Sequence, residues 1–94
     1  MIKLQSFAIV HPIIEMDQTL ILEFVDETEP VESRRYRLFL QKNTMQEIKL
    51  IVYRPNLDNW QDITSMLSPF YLASLRNVLL QQIDRHAKRE DIIS

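Results

Sequence analysis

Two histidines, His11 and His86, are the only imidazoles in the chain, so any histidine-based proton transfer or metal binding must use one of them. His11 stands four residues before Glu15 and six before Asp17, a spacing that a turn folds into one cluster of nitrogen and carboxylate ligands. No further ligand is implied, and hard-cation sites show denser carboxylate patterns than this. His86 and Glu90 fall at i and i+4 of a helical stretch, where a lone imidazole at the end of an apolar stripe serves the core edge. No metal or other cofactor is therefore expected. Serines and carboxylates are scattered, with no spacing that sets a nucleophile beside a base or opposes two carboxylates as acid and base. The expectation is a non-enzymatic protein.

The other constellation that bears on chemistry is a strip of cations with rings between them. From residue 33 to 54 the chain carries Arg34, Arg35, Arg37, Lys42, Lys49 and Arg54 against Glu47 alone, directly after an acidic run of Asp26, Glu27, Glu29 and Glu32. Arg35, Arg37 and Lys49, interleaved with Phe39 and Tyr53, match what single-stranded nucleic acid requires, cations for phosphates and aromatic faces for bases. An overall charge of −2 and the acidic run beside the strip weigh against this reading. Strand arginines are also commonly salt-bridged surface residues.

Composition narrows the field further. Cysteine is absent, which removes disulfides, thiolate-held metals and thiol nucleophiles. Glycine is absent too, where average usage would place about six or seven in a chain of this length. Phosphate-cradling loops and dinucleotide fingerprints need glycine, so those classes fall away. Turns with φ above zero must then use Asn or Asp, and Asp17, Asn43, Asn56 and Asn59 sit where such turns are wanted. No apolar run approaches the roughly 18 residues of a membrane span, and residues 1–6 lack the pattern of a signal peptide, so a soluble, cytoplasmic protein is expected.

The elements that must position these residues follow from periodicity. Residues 1–94 read as one domain without a repeat or linker. A first strand is expected over about residues 5–14, interrupted at His11-Pro12 because proline removes a ladder donor. After a tight turn at residues 15–18, Leu20, Leu22 and Phe24 alternate with Ile21, Glu23 and Val25 through a strand at residues 19–26. Residues 34–42 alternate likewise, with Tyr36, Leu38 and Leu40 against Arg35, Arg37, Phe39 and Gln41. A hairpin at residues 42–45 leads into residues 46–53, where Ile48, Leu50 and Val52 are expected on one face and Glu47, Lys49, Ile51 and Tyr53 on the other. Asp58 or Asn59 would cap a short helix carrying Trp60, Ile63 and Leu67. Ser68 as cap and Pro69 at the first helical position start a long helix with Leu72, Leu75, Leu79, Ile83 and His86 on one stripe. Arg85, Lys88 and Arg89 near its end suit the negative pole of its dipole.

The expected fold is thus α+β: a three- to four-stranded antiparallel meander, a short helix, and a long C-terminal amphipathic helix packed on one sheet face. One helix covers one face. The opposite face shows Ile21, Val25, Phe39, Ile51 and Tyr53, more apolar than a solvated face requires. The leading expectation is a protein-interaction module that buries this face in a homodimer or against a protein partner. Single-stranded nucleic acid on Arg35, Arg37, Phe39, Lys49 and Tyr53 is the alternative. Trp60, Phe70 and Tyr71, near the break between the two helices, are a further candidate pocket, though such rings more often plug the end of a sheet.

Overall fold

The computed structural model of the protein describes residues 6–10, 12–28 and 35–93, with side chains described as far as residue 85. Among the described residues an antiparallel sheet of six strands is followed by one C-terminal helix. The strands are β1 (Phe7–Ile9), β2 (Ile14–Met16), β3 (Thr19–Asp26), β4 (Arg35–Gln41), β5 (Glu47–Arg54) and β6 (Asn59–Asp62). The helix α1 spans Pro69–Ile93.

β1 and β2 both pair with β3, Phe7 opposite Asp26 and Met16 opposite Thr19. They are the two parts of the interrupted first strand, parted where Pro12 cannot donate to the ladder. β3, β4, β5 and β6 then follow as a meander. The sheet therefore has more strands than the three to four expected.

Two expectations are corrected. Residues 59–62 are not helical: Asp58 takes φ 47°, the chain reverses, and β6 pairs with β5, with Trp60 opposite Tyr53. Trp60, Ile63 and Leu67 have helical spacing, but cross-strand pairing governs the segment, and only a 3-10 turn at Thr64–Met66 remains of the helix. Thr64 makes the junction. Its hydroxyl and amide both donate to Asp62 Oδ1, and the Leu50 amide donates to its Oγ1 at 2.9 Å.

The second correction concerns Ile48. Phe39 stands opposite Lys49 but Leu40 stands opposite Glu47, so a bulge inserts Ile48 as an extra residue in β5. The alternation of β5 changes phase there. Ile48 leaves the helix side of the sheet and is 50% exposed, while Glu47 shares Leu40's side and comes within 2.7 Å of Arg76 on α1.

Among the turn residues expected at positive φ, Asp17 takes it at 54°; the other two such positions fall on Met45 and Asp58 rather than on Asn43, Asn56 or Asn59. The hairpin between β4 and β5 closes through the Met45 amide donating to Gln41 O at 2.7 Å.

The core lies between the sheet and α1. Leu20, Leu22, Phe24, Tyr36, Leu38, Leu40, Leu50 and Val52 from the sheet meet Leu72, Leu75 and Leu79 from the helix, with Ile83 packed alongside. The apolar stripe read from helical spacing thus faces the alternating strand face, each burying what the other exposes. The Tyr71 amide donates to Ser68 Oγ at 3.1 Å, the cap expected of Ser68 ahead of Pro69. α1 also ties the sheet edge. Gln82 accepts from the Ile9 amide at 3.0 Å and donates to the Phe7 carbonyl at 2.7 Å, bonding the edge of β1 that β3 does not cover. Among the described residues no helix is long and apolar enough to cross a membrane.

Candidate functional site

The face of the sheet away from α1 is built from rows of cross-strand neighbours. One row runs Ile14, Ile21, Phe39, Lys49; the next runs Glu23, Arg37, Ile51, Asp62. Val25 lies between Ala8 and Arg35, and Tyr53 lies beside Trp60. Ile21, Val25, Phe39, Ile51 and Tyr53 therefore share this face, as alternation indicated, together with Arg35, Arg37 and Lys49.

The rows divide the face into a charged half and an apolar half. In the charged half Glu23 is only 8% exposed and accepts from two guanidinium groups, Arg35 Nη2 at 2.7 Å and Arg37 Nε at 2.8 Å. Burial pushes the Glu23 pKa up, but these hydrogen bonds and the two positive charges outweigh it and hold the carboxyl below its ordinary 4.5. Arg37 also lies with its guanidinium carbon 4.6 Å from the centre of the Trp60 ring. Trp60 in turn meets Tyr53 edge to face at 5.4 Å. The Tyr53 hydroxyl donates to Asp58 Oδ1, and that bond, before any burial, raises the phenol's pKa. Hydrogen bonds from Thr64, with a smaller contribution from the Lys49 charge, lower the pKa of Asp62.

In the apolar half Ile21 is buried without belonging to the core under α1. It forms the floor of a shallow depression of about 340 Å³ with Met16, Thr19, Phe39 and Ile48 around it and the opposite charges of Asp17 and Lys49 on its wall. Lys49 Nζ sits 4.7 Å from the Phe39 ring centre. Ile48 and Met16, 50% and 59% exposed, stand beside the buried floor. Of the five apolar residues read from sequence, only Ile21 and Phe39 line this depression. Val25, Ile51 and Tyr53 lie among the charged and aromatic groups of the other half.

Ile48, Met16 and Ile14 were not legible as members of this face. The bulge that delivers Ile48 leaves no mark in the spacing of β5, and β2 is too short to show alternation. The spacing of Trp60 with Ile63 and Leu67 points to a helix rather than to this face. The Glu23 pairing had part of a signal, because alternation sets Glu23 on the same face as Arg35 and Arg37, but only the register of β3 on β4 puts it opposite Arg37.

Arg35, Arg37, Lys49, Phe39 and Tyr53, the nucleic-acid candidates, do share one face. Both arginines are engaged by Glu23, and Phe39 carries Lys49 on its ring. Trp60, Phe70 and Tyr71 do not form one pocket: Trp60 is on this face, Phe70 is 87% exposed at the start of α1, and Tyr71 is half-buried on the helix side. His11 lies outside the described residues, as do the side chains of His86 and Glu90. Glu15 accepts from Lys42 Nζ at 3.0 Å, and among the described residues no group of three His, Asp or Glu converges as a metal site.

Fold and face together define a class: an α+β protein with one sheet face sealed by a helix and the other, among the described residues, left open. Comparison of the chain with protein-family models, curated proteins and solved structures finds no match.

Proposed function

We propose that the protein is a non-enzymatic interaction module that pairs with a second copy of itself through the Ile21, Phe39, Ile48 and Met16 end of the open sheet face. The observation that carries this reading is the bulge, which places Ile48 on that face beside exposed Met16 and over a buried isoleucine floor. Leaving such neighbouring apolar side chains in water forgoes roughly 25 cal/mol for each Å² that a partner would cover. Charge supports a like partner. Glu23 pairs with Arg35 and Arg37 within the chain, and Asp62 lies near Lys49, so the face has little net field to demand an oppositely charged surface. A two-fold pairing sets identical patches against each other, and a patch that is largely apolar, with Asp17 and Lys49 of opposite sign on its wall, carries little like-charge repulsion.

Light scattering behind size-exclusion chromatography tests this. Twice the monomer mass is expected, falling to the monomer mass in Ile48→Asp and Phe39→Asp with the far-UV circular dichroism unchanged. A strict monomer over micromolar to millimolar concentrations would overturn the reading.

Single-stranded nucleic acid has less support on this face. A phosphate would have to draw Arg35 and Arg37 from a buried carboxylate, and a base would have to displace Lys49 from Phe39 or Arg37 from Trp60.

A further inference from the structure

On the helix side of the sheet, between β5, the 63–67 connection and the start of α1, the core leaves a gap of about 200 Å³. Phe24, Tyr36, Leu50, Val52, Leu67 and Tyr71 form much of its wall, and Met66, 69% exposed, borders it. A closed apolar cavity of about 150 Å³ accommodates benzene, so this gap has room for one aromatic ring and a few further atoms. Water entering it would meet few polar partners.

Two features say what kind of guest the gap suits. The first is a ring cluster already in its wall: Phe24 and Tyr36 stack at 5.1 Å with 8° between their planes, and Phe7 tilts against both at 5.0 and 5.7 Å. Phe24 and Tyr36 are 0% and 4% exposed, so a further ring meets the cluster only at its rim, against Tyr71 and the thioether of Met66.

The second is Arg54. Its Nε donates to Gln61 Oε1 at 2.9 Å, yet no carboxylate comes within ion-pair distance of it among the described residues. Arg35, Arg37, Arg76 and Lys42 each reach one. Elsewhere on the wall the polarity is opposite. Burial first, then the neighbouring Tyr36 and Asp26, pushes the Tyr71 phenol's pKa up. An anionic group is thus disfavoured beside Tyr71 and favoured beside Arg54, whose planar fork matches a carboxylate.

We propose that this gap binds a single-ring aromatic carboxylate, its ring against Tyr71, Leu67 and Met66 and its carboxylate on Arg54. The site lies on the opposite side of the sheet from the self-pairing face and stands independently of it.

The test is a methyl-NMR titration of the unaltered chain with 3-phenylpropionate and, separately, with the neutral 3-phenylpropionamide. Saturable shifts are expected at Leu50, Val52 and Leu67 and not at Ile21 or Ile48. The acid should bind about tenfold more tightly than the amide, the factor that one charge-assisted hydrogen-bonded pair supplies. Arg54→Gln should abolish that preference, bringing the affinity for the acid down to that for the amide or below. Because the acid and amide are compared on the native chain, the proposal stays testable even if that variant does not fold. It is overturned by an absence of saturable shifts up to about 10 mM, well above ordinary weak affinities. Equal affinity for acid and amide would overturn it too, as would shifts confined to the open sheet face.

Discussion

The side-chain amide of Gln82 donates to the main-chain oxygen of Phe7 at 2.7 Å, across a sequence separation of 75 residues. With the Ile9 amide bonded to the same side chain, a glutamine of α1 occupies the place of a further strand along β1. It satisfies edge groups that would otherwise be open to water or to another chain.

Gln82→Ala should destabilise the protein by about 1–2 kcal/mol, two partly buried hydrogen bonds each contributing on the order of 0.5–1.5. Gln82→Glu should be at least as harmful, because a carboxylate cannot donate to the Phe7 carbonyl and sets its charge against it. Urea unfolding measures the loss, and hydrogen exchange localises it. The Ile9 amide should exchange faster relative to Leu22 in Gln82→Ala, whereas a glutamate carboxylate still accepts from it, and unchanged protection in Gln82→Ala would show that Gln82 does not hold the edge.

The pH dependence of stability should carry the mark of Glu23. Its folded pKa lies below its ordinary 4.5, so its contribution is present above that value and is lost as the pH falls through the folded value. Near pH 7, Glu23→Gln should cost about 1–2 kcal/mol, a discounted figure because Arg35 and Arg37 keep partial access to water. Once the pH has fallen below the folded pKa, the difference between the native chain and the variant should shrink, since the carboxyl is protonated there. Unfolding free energies at the two pH values decide, and a constant difference would place the cost outside the ion pair.

Leu38 and Ile48 both read as core by alternation, yet truncation should separate them sharply. Leu38→Ala should cost about 2–5 kcal/mol, since it empties a fully buried position under α1. Ile48→Ala should change the stability of the monomer by no more than about 0.5 kcal/mol, as surface substitutions do. Dilute samples are needed, because self-pairing would add to the apparent cost of Ile48→Ala. Equal costs in thermal unfolding would mean that Ile48 is a core residue after all.

Asp17 sits at φ 54° in the turn between β2 and β3. Asp17→Gly should stabilise the chain by roughly 0.5–1 kcal/mol through relief of left-handed backbone strain, offset in part by a more flexible unfolded chain. Asp17→Val should destabilise it by about 1–2 kcal/mol, a β-branched side chain being poorly tolerated there. Melting temperatures of the two variants should move in opposite directions.

The open face calls for a binding measurement as well. A labelled single-stranded oligonucleotide should show no salt-dependent binding at tens of micromolar protein, since Arg35 and Arg37 are both held by Glu23 and a phosphate would have to displace it. Binding whose log affinity falls by about 0.7 per phosphate contact with log salt, and falls less steeply in Arg37→Ala, would reinstate the nucleic-acid reading.

Period-two alternation settled β3, β4 and most of β5, because successive side chains on a strand must point to opposite faces whatever the strand pairs with. The spacing of Leu72, Leu75, Leu79 and Ile83 settled the covering helix for the corresponding reason, and Ser68-Pro69 marked its start through donors that only a cap can satisfy. His11-Pro12 likewise announced the break between β1 and β2. These are local constraints, carried by neighbours in the chain.

The three features that shape the candidate sites were decided elsewhere. The bulge exists only relative to β4, since Ile48 becomes the extra residue when Phe39 takes Lys49 and Leu40 takes Glu47. β6 has almost no alternation of its own and becomes a strand because β5 presents Tyr53 to Trp60. Arg54 borders an apolar gap only because α1 and the 63–67 connection meet β5 at one end of the core. Each depends on contacts between residues distant in the chain, whose energies appear only once the chain has folded and leave no period for a local pattern to show.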